Sequence, residues 1–140
     1  MTALTIGPRV RKSPFFDATL SAGAKAFTVY NHMYMPTSYG DPLAEYWAIV
    51  EGVTLWDVSS ERQIEVSGPD AIAFTQLLTP RDVAGCPVGR CRYVVFTDDA
   101  GGIINDAVML RLEDHRFWLS PGDGDVLLWA QGVAARSGMD

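Results

Sequence analysis

Cysteine is nearly absent: Cys86 and Cys91 are the only two, flanking Pro87-Val88-Gly89-Arg90. A pair that small excludes a disulfide framework and a zinc ribbon, so reduced thiols are expected. Long hydrophobic runs are absent as well. The apolar stretches, such as 126–130, are a handful of residues long, far short of the roughly 20 that a helix needs to cross a bilayer. The N-terminus has basic residues but no apolar core followed by a small-residue cleavage site, so no secretory signal is visible and the cytoplasm is the expected compartment. Positive charge is scarce, with 11 Lys and Arg against 17 Asp and Glu. That balance argues against nucleic acid and anionic membrane as partners, because both require clustered cations. The one dense basic stretch, Arg9, Arg11 and Lys12, reads as a solvated flexible arm over 1–13. Histidine is limited to His32 and His115; neither makes a metal site alone, and no metal is expected. Phosphate-loop, zinc-protease and serine-hydrolase motifs are missing.

What remains is a chain of 140 residues, 48% hydrophobic and 11% aromatic, enough for one globular domain with a core. Residues 27–40 read as a strand and then a loop broken at Pro36 and Gly40. Asp41 and Pro42 open a helix that Gly52 closes, with Leu43, Tyr46, Trp47 and Val50 at helical spacing. Tyr46, Trp47 and Trp56 are expected in the core. Residues 53–66 read as two antiparallel strands about a polar turn. A second helix opens at Gly68-Pro69-Asp70, carries Ala71, Phe74, Leu77 and Leu78 on one face, and stops before Pro80. Three β-rich runs, 91–97, 107–112 and 115–120, predict an antiparallel meander. Asp123 or Asp125 caps a third helix with Val126, Trp129, Ala130 and Val133 inward and Gly138 as its stop. The order implies an α+β fold, a sheet meander with about three helices. The ending at Met139-Asp140, straight after a helix stop, reads as a cut, with the rest of a parent polypeptide as the expected partner and self-association through bare apolar surface as its consequence.

Gly101-Gly102-Ile103-Ile104-Asn105-Asp106 stands out, because a glycine turn leads through two apolar residues to a polar pair at the mouth of a strand. With Met35-Pro36-Thr37-Ser38-Tyr39-Gly40, the 53–71 stretch VTLWDVSSERQIEVSGPDA and the 92–110 stretch RYVVFTDDAGGIINDAVML, the chain over 14–140 resembles the N-terminal part of the glycine-cleavage T-protein family of folate-dependent aminomethyltransferases. VYNHM (29–33), WDVSSERQIEVSGPDA (56–71) and LLTPRD (77–82) are closer to the dimethylsulfoniopropionate demethylase branch. The resemblance implies tetrahydrofolate as cofactor and part of a folate-binding domain. It places Tyr93 at a pterin-contacting tyrosine, Glu61 at a folate-lining methionine, Ser120 at an asparagine of the same wall, and Asn105 at the catalytic acid, followed by the carboxylate of Asp106.

Two departures matter. Ser59, Ser60 and Glu61 stand where T-proteins carry Ser-His-Met after Asp-Val, and Asn105 replaces the first carboxylate. Ammonia release from an aminomethyl group needs a base, which an amide cannot be. Methyl transfer from a sulfonium or ammonium donor needs alignment and a dry pocket instead. The expectation is therefore a demethylase acting on a small methyl donor, with Tyr30, Tyr34 or Tyr39 facing the cation. An aminomethyltransferase, or the folate domain of an amine dehydrogenase, is the alternative. A non-catalytic folate-binding relative of the iron–sulfur maturation type is the third.

Overall fold

The computed structural model describes residues 7–140. They form two compact units, divided between Ser60 and Glu61. Helices α1 (Phe16–Ser21) and α2 (Pro42–Glu51) and strands β1 (Ala26–Tyr30) and β2 (Met33–Ser38) belong to the first. The second holds β3 (Ile64–Ser67), α3 (Ala71–Leu78), β4 (Cys91–Thr97), β5 (Ile103–Glu113), β6 (Arg116–Pro121) and α4 (Val126–Ser137).

In the first unit, β1 and β2 form an antiparallel hairpin with Tyr30 opposite Met33. Its turn is Asn31-His32, both at positive φ, 48° and 60°, the conformation that two-residue hairpin turns require and that asparagine tolerates. Buried Asn31 then donates from Nδ2 to the carbonyl of Ser60 at 3.0 Å. The loop expected after Tyr30 is thus a strand. Pro36 is tolerated because a two-stranded ribbon has only edge strands. The expected arm is partly outside the described residues. Of its remainder, Arg11 bonds backbone-to-backbone with both His32 and Tyr34, and Gly7 N donates to the Tyr34 hydroxyl at 2.6 Å. Helix α1, which was not expected, buries Phe16 against Phe27 at 5.0 Å.

Helix α2 begins as its sequence directs. Asp41 accepts from the amides of Leu43 and Ala44, Pro42 fills the first turn, and the helix ends at Gly52. Its burial does not follow the expectation, since no residue of α2 is buried. Tyr46 is 55% exposed, Trp47 46% and Trp56 67%, so the three aromatics assigned to the core lie outside it. Apolar side chains occupy several faces of α2, and spacing alone does not supply a layer for them to meet. Residues 53–63 likewise form no strand; only β3 appears of the two expected.

In the second unit the strands are antiparallel in the order β3-β6-β5-β4. Helices α3 and α4 contribute Ala71, Leu78, Val126 and Ala130 to a core with Ile64, Phe96, Met109, Phe117 and Leu119. The meander, α3 ending before Pro80 and α4 stopping at Gly138 in the left-handed region (φ 69°) match the sequence reading. Leu77 does not, being exposed while Thr75 is buried.

Because Phe117 is 0% exposed, Phe117→Ala is expected to cost about 3–5 kcal/mol in denaturant unfolding, whereas Trp47→Ala should stay within about 0.5 kcal/mol.

Candidate functional site

Residues directly opposite one another in an antiparallel sheet share a face, and neighbours along a strand alternate. On β4, Val94 and Phe96 are buried while Tyr93 is exposed. On β5, Ala107 and Met109 are buried while Val108 is exposed. On β6, Phe117 and Leu119 are buried while Trp118 is exposed. The helices cover one face of the sheet, and the other is bare. Across that bare face the register lines up Tyr93, Val108 and Ser120 in one row and Cys91, Leu110, Trp118 and Glu65 in the next.

The polar groups on this face are held in place. The Tyr93 hydroxyl donates to Asp106 Oδ2 at 2.9 Å. Ser120 Oγ accepts from Gln63 Nε2 at 2.9 Å. Glu65 Oε2 accepts from the Trp118 indole at 2.8 Å and from both Nε and Nη2 of Arg116. The Trp118 bond and then Arg116 hold the Glu65 carboxyl below its ordinary range. The result is a flat platform of one tyrosine, one tryptophan and aliphatic side chains, rimmed by two fixed carboxylates.

Of the residues that the resemblance singled out, Tyr93, Asp106 and Ser120 come together on this platform. Asn105 does not. It lies opposite Phe96, on the helix-covered side, at the end of the sheet. Its Nδ2 donates to the carbonyl of Asp123 and its Oδ1 accepts from Gly122 N, each at 2.9 Å. Both ends of the amide thus clamp the loop between β6 and α4. Glu61 is exposed on the segment leading into β3. Val108, Trp118 and Gln63 were not anticipated as site residues. The signal was present in Phe117-Trp118-Leu119, where consecutive apolar residues make both faces of one strand apolar.

The three tyrosines of the first unit have different surroundings. Tyr34 packs against Phe16 and Phe27 at 5.8 and 6.4 Å and accepts the Gly7 bond, which makes it a packing residue. Tyr30 shares its face with Met33, opposite to that of Tyr34. Tyr39 lines a cleft of about 320 Å³ with Met35, Trp56, Glu45 and Asp57. Glu45 accepts from the amides of Tyr39 and Gly40. Asp57 accepts from the Ser13 hydroxyl and from Ser59 N. Burial pushes the Asp57 carboxyl up, but these bonds outweigh it and hold it below the ordinary range.

Among the described residues, no cluster of His, Cys, Asp and Glu could hold a metal, and no helix is long and apolar enough to cross a membrane. Both cysteines are free thiols, Cys86 buried and Cys91 exposed.

The family described as "GCVT N-terminal domain" matches residues 15–136, and the chain belongs to that family. It is 39% identical over its whole length to dimethylsulfoniopropionate demethylase DmdA of Ruegeria pomeroyi, covering 38% of that protein. It is also 39% identical over 123 residues, 87% of its length, to a probable aminomethyltransferase of Natronomonas pharaonis, covering 34% of it. The crystal structure of the glycine cleavage system aminomethyltransferase T of Bartonella henselae superposes with a TM-score of 0.76 at 27% identity, over 92% of this chain and 36% of that one. The chain therefore spans less than two-fifths of the length of these relatives.

Two titrations test the site. The bond to Asp106 comes first among the causes that raise the Tyr93 pKa, ahead of desolvation and the charge of Asp106. Tyr93 should therefore ionise above the ordinary value of about 10 in ultraviolet titration, and Asp106→Asn should bring it back down. For Asp57, a folded pKa below the unfolded one contributes stability above the unfolded value, lost as pH falls through the folded value. The melting-temperature gap between wild type and Asp57→Asn should be constant near neutral pH and close below about pH 4.

Proposed function

We propose that the chain carries one wall of a tetrahydrofolate-dependent one-carbon transferase, and that the reaction is removal of a methyl group from a small sulfonium or ammonium donor. The observation that carries this reading is the use of Asn105. At the position where the resemblance places a catalytic carboxylate, an amide donates to one backbone group and accepts from the next. A carboxylate could not donate to the Asp123 carbonyl, and its charge would face that oxygen unpaired. This end of the sheet is built around an amide.

The bare platform fits a flat heterocycle. Tyr93 and Val108, 58% and 41% exposed, offer a ring and an aliphatic surface for it to lie on. Asp106, oriented by the Tyr93 hydroxyl, and Ser120, oriented by Gln63, offer hydrogen bonds at its margin. Tetrahydrofolate supplies the nitrogen that accepts the methyl group. As the donor's carbon–sulfur or carbon–nitrogen bond broke and the methyl–nitrogen bond formed, a neutral thioether or amine would leave, and the positive charge would pass to the acceptor nitrogen, which would then release its N–H proton to water. The protein's task is then to align the two partners and exclude water. No proton has to leave before methyl transfer, so loss of the first carboxylate is tolerable.

One observation favours the aminomethyltransferase alternative: Asp106 keeps an exposed carboxylate beside Tyr93, a group able to take a proton. Asn105→Asp separates the readings in a protein of the relatives' full length. On the demethylase reading it brings no gain in tetrahydrofolate-dependent turnover of a sulfonium donor, and it costs about 1–3 kcal/mol in stability through the severed clamp. On the alternative it raises aminomethyl turnover about a hundredfold or more. That gain, together with no sulfonium turnover by the wild type, would overturn the demethylase reading.

A further inference from the structure

The first unit holds a cleft whose carboxylates no cation answers. It lies between β2, α2 and the segment 54–57, has a volume of about 320 Å³, and its lining includes Met35, Tyr39, Glu45, Ile49, Trp56 and Asp57. Neutral donors fix both acids. Glu45 Oε1 accepts from the amides of Tyr39 and Gly40 at 2.8 and 3.1 Å, while its Oε2 takes no hydrogen bond among the described residues. Asp57 Oδ2 accepts from the Ser13 hydroxyl, and Oδ1 accepts from Ser59 N at 3.0 Å. Among the described residues neither carboxylate has a Lys, Arg or His partner, and no such residue lines the cleft. Lys25 passes beside Gly40 with its aliphatic stem only. Glu65 of the second unit is the contrast, since Arg116 answers its charge at 2.9 Å.

The walls decide which kind of cation suits the cleft. A metal ion asks for several oxygen ligands, and no group of acidic side chains among the described residues could hold one. A primary ammonium brings three N–H donors that need acceptors, whereas most of this wall is ring and aliphatic surface. The Trp56 indole already spends its N–H on Thr54 Oγ1 at 2.8 Å, so what it offers is its ring. Tyr39 adds a second ring, and Met35 and Ile49 add apolar surface. A cation that spreads its charge over methyl groups has no N–H to satisfy, and it is attracted both to aromatic faces and to carboxylates. The cleft is at the small end of ligand pockets, a size for a compact ion of this sort.

We infer that this cleft seats a small organic cation of the sulfonium or quaternary ammonium class, with Tyr39 and Trp56 meeting its methyl groups and Glu45 and Asp57 answering its charge. The identification of that cation with the methyl donor rests on the demethylase reading. The preference of the cleft for such a cation rests on its own walls and charges. Trp56 thereby gains a use for a ring that is 67% exposed, and the fixed Glu45 and Asp57 gain a use for negative charge that no side chain of the unit neutralises.

The test titrates choline into the chain at constant ionic strength, choline chloride replacing sodium chloride, and follows the indole N–H resonances of the four tryptophans by NMR. The Trp56 resonance is expected to shift saturably at millimolar choline, with those of Trp118 and Trp129 unmoved. The uncharged analogue, in which a tert-butyl group replaces the trimethylammonium, should bind about tenfold more weakly. Glu45→Gln keeps an oxygen for the Tyr39 and Gly40 amides and removes only the charge, and it should weaken choline binding about threefold or more. In Trp56→Leu, made at an exposed position and followed through the Tyr39 amide, the loss should be about tenfold. Unchanged Trp118 and Trp129 resonances in both variants report an intact second unit, and the Tyr39 amide reports the first. Equal binding of the uncharged analogue would reduce the cleft to a plain apolar surface and overturn the proposal. So would a shift shared by all four indoles, no saturable shift at Trp56, or choline binding indifferent to both variants. No folate enters this experiment, so its failure leaves the demethylase reading to the Asn105→Asp assay, and failure of that assay leaves the cation seat standing.

Discussion

Two helices cover one face of a four-stranded antiparallel sheet, and nearly everything in the second unit follows from that asymmetry. A strand alternates its side chains, so each of β4, β5 and β6 divides its residues between a dry side and an open one. Val94, Phe96, Met109, Phe117 and Leu119 are drawn to the dry side under α3 and α4. Their immediate neighbours, Tyr93, Val108 and Trp118, are thereby committed to the open side whatever their own preference for water. The same rule separates Asn105 from Asp106. Adjacent in sequence, they serve opposite faces, one as a clamp on a loop and the other as a carboxylate on the platform. A slip of one residue in the β4–β5 register would exchange these roles and move the core into solvent.

Legibility in the sequence followed the physical strength of each signal. Helices α3 and α4 have breakers at their ends, Pro80 and Gly138, and partners on the sheet, so their existence and most of their buried faces were readable, with Leu77 the exception. Helix α2 has an equally clear beginning and end, but among the described residues none of its side chains is buried, and periodicity alone does not report burial. Strand β2 was hidden by Pro36 and by a hairpin turn of Asn31-His32, where two non-glycine residues take positive φ. Helix α1 is six residues long, too short for a period to show. The stretch 53–63 has strand-like composition without a neighbouring strand to pair with, and composition alone does not make a ladder.

The candidate site was legible in part. The resemblance singled out Tyr93, Asp106 and Ser120, and the register brings them to one face. It also carried Asn105 to a catalytic position by alignment, where the geometry gives it a structural duty. A carboxylate at that point would be a base beside a carbonyl oxygen. An amide is a two-ended connector, holding Gly122 and Asp123 and so fixing where α4 begins. The amide at this position thus holds the loop with both of its ends, which a carboxylate could not do.

The platform and the β3 edge are different kinds of exposed surface. The platform presents side chains: a ring, aliphatic groups and carboxylates already fixed by Tyr93, Arg116 and Trp118. The β3 edge instead presents backbone amides and carbonyls at the two-residue spacing of a strand, where water can satisfy them, with an apolar groove beside them. Glu65 belongs to both surfaces, its backbone to the edge and its carboxylate to the platform, where it anchors Trp118 and Arg116.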